Sequence, residues 1–405
     1  MQIRPFAALR PTPSAASRVA SPPYDVVDTA EARALAEGNP LSFLHVSRSE
    51  IDLPPDTDPY SPAVYARAAA NLRALERSGT LVREEAPSLY VYRQRMGAHE
   101  QRGVVACLHT GDYERNLIRR HERTRQDKED DRVRHTLALR ANSGLVFLMY
   151  RDTPAINRLV AAVEREAALY DFTAPDGIAH TVWRAGDPSA FVGAFGSVPL
   201  LYIADGHHRA AAAARAASEL RKRDASDPGI AEAEWFMAVL FPAGQLRILP
   251  YNRLVRDLNG MTPGTFLDAV RRRFAVGERA SPALDRPRRV SMFLDGRWYS
   301  LAWEFPPGAD PVRALDVSYL QEHLLDPVLG IRDPRTDKRI EFVGGIRGTD
   351  ELERRVGEGR SAVAFSMYPV VPEQVMAVSD AGQIMPPKST WFEPKLRSGL
   401  LVQTF

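Results

Sequence analysis

The sequence has a single cysteine among 405 residues and no long apolar run. A lone Cys107 excludes an internal disulfide and any metal site built from several cysteines. No stretch approaches the roughly 18 apolar residues that a membrane span needs. The opening residues, MQIRPFAALRPTP, lack the apolar core of a signal peptide. We therefore expect a cytoplasmic protein that does not contact the membrane.

The chain also has little net charge, because 53 Lys and Arg residues are balanced by 51 Asp and Glu residues, for a formal net charge of +2. A basic domain or patch is the usual feature of a nucleic-acid-binding protein, so this balance does not favour a nucleic-acid partner. Cys107 lies in the apolar run GVVACLHT, which is typical of a packed strand and not of a reactive thiol. A small molecule is the expected partner.

Strand and helix patterns alternate along the chain without a strict β-α-β rhythm, which predicts an α+β protein with mixed sheets. Prolines near the start of the chain predict an extended N-terminal segment laid over other structure. Buried strands are predicted over 145–150 and 200–205, and hairpins around Gly97, within 169–185 and at Asp295-Gly296. The predicted helices cover 154–168, 209–222, 263–273, 316–326, 349–357 and 372–380.

The stretch YIADGHHRAA, residues 202–211, places polar groups between an apolar strand and an alanine-rich helix. The free N–H groups and the dipole of a helix N-terminus favour a phosphate at this position. Gly206 lets the backbone turn closely past a ligand, Arg209 suits phosphate oxygens, and Asp205 suits a magnesium ion beside them. The alternative interpretation is an Asp N-cap followed by surface histidines.

A second candidate is His121-Glu122, which precedes the charged run RTRQDKEDDRVR. Such runs usually form a solvated helix face. A carboxylate beside a histidine at a loop–helix junction also suits a general base. The sequence lacks an HExxH pattern, so a zinc protease is not supported.

The third stretch, GQIMPPKST, nearly matches a phosphate-binding Walker A loop. The match fails because Pro387 stands where the motif needs a glycine N–H, and because the preceding segment is helical in pattern. What remains is a proline-stiffened loop that presents Lys388, Ser389 and Thr390 to an anion, or else a structural turn.

These stretches carry a resemblance to known families. From RPFAALRP and PPYDVV to MPPKSTWFEPKL, the chain resembles DUF1015, a bacterial family of unknown function. The boxes LYIADGHHRAAAA, RRHERT and PPKSTWFEPKL also resemble, in the same order, those of archaeal free-serine kinases of the ParB/sulfiredoxin-like superfamily. The chain departs from those kinases in lacking a proline before His-Glu, in some 85 additional N-terminal residues and in a hairpin near 291–303.

The resemblance implies a ParB/sulfiredoxin-like nucleotide-binding core and a small-molecule kinase that uses ATP or ADP with Mg²⁺, with free L-serine as the implied acceptor. It implies catalytic roles for Glu122, the base, and for Asp205 and His208, with Asp205 also serving the metal. Gly206, His207 and Arg209 would bind the nucleotide phosphates. His121, Lys388, Ser389 and Thr390 would bind the substrate or the transferred phosphate.

By segment, the resemblance divides the chain into an N-terminal extended and helical part, 1–85, and a core with both boxes, 86–260. An inserted helix and hairpin, 261–310, precede a C-terminal part, 311–405, with the Pro-Lys-Ser-Thr loop. The alternative function is a ParB-like nucleotide-binding regulator without phosphoryl transfer, although no helix-turn-helix stands out. A sulfiredoxin-like reductase is a third option, which the buried setting expected for Cys107 does not favour.

Overall fold

The computed structural model describes residues 1–305 and 308–405, and these divide between two units. The first unit comprises Met1–Leu246 together with the C-terminal segment Pro394–Phe405. The second unit comprises Arg247–Glu393. The last residues of the chain thus belong to the first unit. The segment boundaries at residues 85, 260 and 310, given above from the sequence, remain a prediction.

The first unit is built on short strands and on helices that cover them. Its strands are β1 (Ile3–Arg4), β2 (Leu9–Pro11), β3 (Leu81–Arg83), β4 (Tyr90–Met96), β5 (His99–His109), β6 (Ile118–Arg119), β7 (Ala141–Asn142), β8 (Val146–Tyr150), β9 (Tyr170–Thr173), β10 (Ala179–Arg184), β11 (Leu201–Asp205), β12 (Trp235–Pro242) and, at the C-terminus, β21 (Gln403–Thr404). Its helices are α1 (Ala16–Val19), α2 (Thr29–Ala36), α3 (Leu44–Ser47), α4 (Pro62–Arg77), α5 (Thr110–Glu114), α6 (Gln126–Leu139), α7 (Pro154–Val163), α8 (Pro188–Gly196), α9 (His207–Arg223) and α10 (Ile230–Ala233).

A large mixed sheet runs through this unit in the order β6-β11-β8-β12-β5-β4-β10-β9, and β1 also pairs with β5. The β6–β11 and β8–β12 pairs are parallel, and the other pairs are antiparallel. Because parallel neighbours end at the same edge of a sheet, the residues after β6 and after β11 emerge side by side. The mixed sheet confirms the α+β prediction.

Apolar strands and small helix residues hold the sheet to its helices. Every residue of β8 is buried, as expected of a central strand that reads VFLMY. On one side the sheet contacts α7 and α8 through residues such as Ile156 and Phe195. The alanine run of α9, residues 210–214, is buried throughout, which lets this helix pack against both the sheet and α6.

The second unit has a different, antiparallel sheet. Its strands are β13 (Arg247–Leu249), β14 (Tyr251–Val255), β15 (Ala275–Glu278), β16 (Arg289–Leu294), β17 (Arg297–Ala302), β18 (Ile340–Gly344), β19 (Val363–Met367) and β20 (Trp391–Glu393). Its helices are α11 (Pro263–Arg271), α12 (Asp316–Leu320), which continues as a π-helical turn over Gln321–Leu325, α13 (Asp350–Gly357) and α14 (Pro372–Asp380). The sheet order is β15-β17-β16-β19-β14-β18, and β13 pairs separately with β20.

The hairpin that the sequence suggests as an insertion supplies β16, which pairs with β19 within this sheet. Its turn, Asp295-Gly296, has two left-handed residues with φ of 49° and 73°. This geometry is that of the two-residue turns that match strand twist. The three predicted hairpins are confirmed.

Among the predicted helices, α14 has the bounds expected, whereas α7 ends at Val163 and not at 168. After Val163 the backbone closes a turn, in which the Glu164 N–H still donates to the Val160 carbonyl at 3.1 Å, and residues of this turn make tertiary bonds. Arg102 Nε donates to the Glu164 carboxylate at 2.9 Å, and Trp183 Nε1 donates to the Glu166 carbonyl at 3.2 Å. Within the described ranges, no helix is both long enough and apolar enough to cross a membrane.

Candidate functional site

The turn between β11 and α9 is set by a bulge and a glycine. The β11–β8 register shifts between Ile203 and Asp205, so Ala204 is the extra residue and the side chain of Asp205 is re-aimed at the end of the strand. Gly206 follows with φ of 92° and ψ of 31°, a left-handed conformation that strains other residues. The chain thereby turns sharply into α9.

The N-terminus of α9 carries backbone donors without a side-chain cap. Gly206 is the N-cap of this 17-residue helix and, having no side chain, makes no cap bond to its first turn. The first N–H groups of a helix have no intrahelical acceptor, and the dipole adds partial positive charge there. The interpretation of Asp205 as the N-cap is therefore wrong, since Asp205 Oδ1 accepts only the N–H of Gly206, at 2.9 Å.

Asp205 lies between two cations. Its Oδ2 is 3.4 Å from Lys395 Nζ and 3.5 Å from Arg209 Nη2. Burial acts to raise the pKa of Asp205, but Lys395, Arg209 and His207 outweigh it and hold that pKa well below its ordinary value. Asp205 is thus a carboxylate throughout the physiological pH range.

The structure brings the two histidine-containing stretches together. The rings of His121 and His207 meet edge to face, with centroids 4.5 Å apart, because the parallel strands β6 and β11 end at one edge. Both rings are buried. Burial lowers the pKa of His121 to about 4 and, with the neighbouring His121, lowers the pKa of His207 well below its ordinary value. Both imidazoles are therefore neutral near pH 7.

Glu122 follows His121 on a bend before α6 and is half-buried. It is therefore next in sequence to the His121 ring, which contacts His207 at the start of α9. His208 connects the same elements, because its Nε2 accepts the backbone N–H of Arg125 at 3.0 Å. Burial is the main reason that the pKa of His208 is lowered. In this geometry His208 joins the starts of α6 and α9.

Arg209 folds back under the turn and does not extend from the start of the helix. Its Nη1 donates to the Leu145 carbonyl, and its Nη2 lies 3.5 Å from Asp25 Oδ2. Its side chain is 11% exposed. The guanidinium thus ties the box to β8 and to the N-terminal segment.

Sequence reasoning missed three residues of this site. Asp25 pairs with Arg209, Tyr24 lies 4.0 Å beneath the Arg132 guanidinium, and Lys395 pairs with Asp205. The stretches PPYDVV and FEPKL, which contain these three residues, contribute to the family resemblance. That resemblance is the only sequence signal for them, since no local pattern links them to residues 205–209.

A buried polar network positions Lys395. Gln94 Nε2 donates to the Lys395 carbonyl at 2.8 Å, and Arg397 Nε donates to His180 Nε2 at 3.2 Å. The same His180 bonds Tyr92 through Nδ1 at 2.8 Å. These bonds fix the C-terminal segment on β4 and β10 and so fix the ammonium of Lys395 relative to the site.

The Pro-Lys-Ser-Thr loop belongs to the second unit. Lys388 is exposed, has a φ of 55° and lies with its Nζ 5.3 Å from the Tyr251 ring centroid. Ser389 is buried, and its hydroxyl donates to the Pro386 carbonyl at 2.6 Å, closing the turn. Its hydroxyl therefore has a structural partner, while Thr390 is half-buried beside it.

The described residues contain no cluster of three or more His, Cys, Asp or Glu side chains suited to a metal ion. A site made entirely of protein ligands is thus not found in the described ranges. Mg²⁺ commonly needs only one or two carboxylates when phosphates complete its shell, and Asp205 fits that pattern. Cys107 is fully buried on β5, as expected.

These features define an α+β protein in which a buried strand turns sharply into a helix at Gly206. The chain belongs to the family described as "Protein of unknown function (DUF1015)", whose model matches residues 3–318. The membership expected from the sequence is confirmed. No curated protein matches the chain.

Solved structures with similarity to this chain include a conserved hypothetical protein from Pyrococcus furiosus, 11% identical, with a TM-score of 0.36 over 74% of this chain and 95% of that one. A free serine kinase in complex with AMP is 11% identical, with a TM-score of 0.36 over 73% and 91%. SbnI from Staphylococcus aureus, truncated at its C-terminus, is 9% identical, with a TM-score of 0.38 over 74% and 87%. At these TM-scores the likenesses carry no argument about this chain.

Proposed function

We propose that the protein is a phosphotransferase with a ParB/sulfiredoxin-like core, which moves a phosphate from ATP or ADP to the hydroxyl of a small molecule. The resemblance of the boxes makes free L-serine the first acceptor to test. The observation that carries the proposal is the contact between His121 and His207, 4.5 Å apart, at the edge where β6 and β11 end. Because Glu122 follows His121 in the chain, this contact supports a role for its carboxylate near the start of α9.

The helix start suits the nucleotide phosphates. The N–H groups of His207, His208 and Arg209 supply donors, and Lys395 and Arg209 supply positive charge near Asp205. Phosphoryl transfer depends mainly on positioning and on neutralising charge at the phosphate oxygens. When bound with the nucleotide, Mg²⁺ would be held by Asp205 and would neutralise phosphate charge.

Glu122 is the proposed base. It would take the proton of the acceptor hydroxyl as the hydroxyl oxygen forms a bond to the terminal phosphorus and the bond from that phosphorus to the bridging oxygen breaks. The nucleotide then leaves with one phosphate fewer. The resemblance assigns Lys388, Ser389, Thr390 and His121 to binding of the acceptor or of the transferred phosphate. The buried ring of His121 would also fit a role in positioning His207.

The test is to incubate the full chain with Mg²⁺, ATP or ADP, and a panel of hydroxyl-bearing metabolites that includes L-serine. Phosphorylated products are read by mass spectrometry. Glu122→Gln keeps size and hydrogen bonding but cannot take the proton, so turnover should fall by roughly 10²–10⁴ while nucleotide affinity stays near that of the wild type.

Glu114→Gln is the matched control, because Glu114 is exposed at the end of α5. Glu129 is unsuitable as a control, since its carboxylate bonds Arg215 at 2.8 Å and Thr124 at 2.8 Å. Equal losses for Glu122→Gln and Glu114→Gln would remove Glu122 from the mechanism. Nucleotide binding without any phosphorylated product would replace the kinase by the alternative, a nucleotide-binding regulator.

A further inference from the structure

A small cavity of about 40 Å³ lies beneath the turn that starts α9. The N-terminal segment, α3, α6, α9, the loop before β8, β12 and the C-terminal segment all contribute to its wall, within the first unit. Tyr24, Arg132 and Arg209 are among the residues that line it. Seven separate parts of the chain thus meet around one small space.

The wall of this cavity is rich in hydrogen-bond donors. Two guanidinium groups, Arg132 and Arg209, line it, and none of its lining residues, all in the described part of the chain, is acidic. Arg132 donates from Nε and Nη2 to Asp131, at 2.9 Å and 2.6 Å. The two N–H donors on its Nη1 take no part in this ion pair. The carboxylates that pair with the two arginines lie outside the lining, so the two guanidinium groups line the space without them.

Two buried polar atoms at this wall have no hydrogen-bond partner among the described residues, namely Arg209 Nε and Ser47 Oγ. Ser47 is only 6% exposed. A buried polar atom without a hydrogen-bond partner destabilises the folded state, so such atoms are rare unless a ligand or water serves them. Both residues line the same cavity, which points to an occupant that accepts hydrogen bonds.

The size restricts the class of occupant. A cavity of about 40 Å³ exceeds the roughly 10–15 Å³ that one water needs. It is far below the roughly 300–1,000 Å³ of pockets that enclose whole cofactors. A single carboxylate or phosphate group has acceptor atoms only and matches arginine donors in charge and geometry.

We propose that this cavity is an oxyanion subsite that takes one carboxylate or phosphate group beside the α9 turn. The proposal rests on the proposed function only for the origin of the group, which would be the carboxylate of the acceptor or a phosphate of the nucleotide. Arg209 is shared between the cavity and the turn, since its guanidinium also reaches Asp205 at 3.5 Å. The binding itself requires no catalysis.

The test measures the melting temperature and the calorimetric affinity of the full chain with acetate and with inorganic phosphate, without nucleotide or metal. Sodium chloride at matched ionic strength is the reference. One of the two anions should stabilise the wild type in a saturable way, because a ligand that binds only the folded state raises its stability. Saturation by acetate alone assigns the site to a carboxylate, and saturation by phosphate alone assigns it to a phosphate.

Ser47→Ala should weaken that anion about tenfold or more, which is the loss of one hydrogen bond to a charged group. Without anion, its melting temperature should equal or exceed that of the wild type, since the substitution removes an unpartnered buried hydroxyl. Ala212→Val adds two methyl groups at the wall and should abolish binding.

Ser49→Ala is the matched control two residues away. Its hydroxyl bonds the carbonyls of His45 and Val46, at 2.9 Å and 3.0 Å, and Ser49 does not line the cavity. This variant should lose stability and keep the anion affinity. No saturable effect beyond that of chloride, as for a cavity that holds only water, would overturn the proposal, and so would an unchanged affinity in Ser47→Ala. Either failure leaves the phosphorylation assay of the proposed function untouched.

Discussion

Gly206→Ala tests whether the stability of the fold requires the left-handed turn between β11 and α9. Gly206 has a φ of 92°, and a Cβ added there would lie 3.0 Å from Arg209 Cζ and 3.1 Å from Arg209 Nε. Alanine would therefore meet two obstacles, a strained backbone and a buried guanidinium. The guanidinium is held by the Leu145 carbonyl and by Asp25, so it has little freedom to retreat.

The magnitude follows from these two terms. A left-handed conformation costs an L-residue about 1–2 kcal/mol. If Arg209 shifts and loses its bond to the Leu145 carbonyl, a charge-assisted hydrogen bond worth about 1.5–3 kcal/mol is lost as well. The free energy of unfolding should then fall by about 3–5 kcal/mol, or by about 1–2 kcal/mol if Arg209 adapts without loss.

Urea unfolding followed by circular dichroism measures this difference, with Gly193→Ala as the control. Gly193 is exposed within α8, and an added Cβ there would meet no described heavy atom within 4 Å. Alanine should therefore stabilise the helix by about 0.5–1 kcal/mol, the opposite sign. The reasoning is refuted if Gly206→Ala is as stable as the wild type, or if both variants lose the same stability.

Two further predictions concern titratable groups of the first unit. Burial raises the pKa of Cys107, so the folded protein should resist thiol reagents at pH 8 and react only when urea unfolds it; fast labelling of the native chain would contradict this. His45 Nδ1 lies 2.6 Å from Asp52 Oδ1, and this bond is the main reason that the pKa of His45 is raised above 6.5. Burial acts to raise the pKa of Asp52, but the bonds from His45 and Asn71 outweigh it and lower that pKa below 3.8. The pair thus stabilises the fold between about pH 4 and 6.5, less as pH rises through the raised pKa of His45 or falls through the lowered pKa of Asp52. The difference in unfolding free energy between wild type and His45→Gln should be largest in that window and shrink by pH 9, and a difference that does not change with pH would contradict this pair.

The elements that local signals specify were predictable. The strand β11 reads as an apolar run, and the alanines after it favour a helix, so the strand–turn–helix around residue 206 followed from the sequence. The turn at Asp295-Gly296 and the helix α14 also agreed with their local patterns. Turn chemistry and hydrophobic periodicity depend on only a few neighbouring residues, so the elements that they predict do not depend on distant parts of the chain.

The charged run of α6 was only partly predictable. The sequence predicts a solvated face, yet Asp131 is buried. Its carboxylate accepts a hydrogen bond from the Tyr65 hydroxyl at 2.9 Å and another from Arg132. Tyr65 stands on α4, far away in sequence. Alternating charge indicates solvent only where no other part of the chain covers the helix.

Strand, turn and helix signals are local, so the amino-acid sequence was enough to predict that a buried strand delivers Asp205 and Gly206 to the start of a helix. The groups that surround these two residues come from distant parts of the chain and could be identified only in the folded structure. Lys395 lies 190 residues from Asp205 and Asp25 lies 184 residues from Arg209, yet both are within ion-pair distance. The first contact depends on the return of the C-terminal segment to the first unit, and the second depends on the N-terminal segment that carries Asp25. Long-range electrostatics leaves no periodic trace in a sequence, so the charge balance of the site and the cavity beneath it emerge only when the chain is folded.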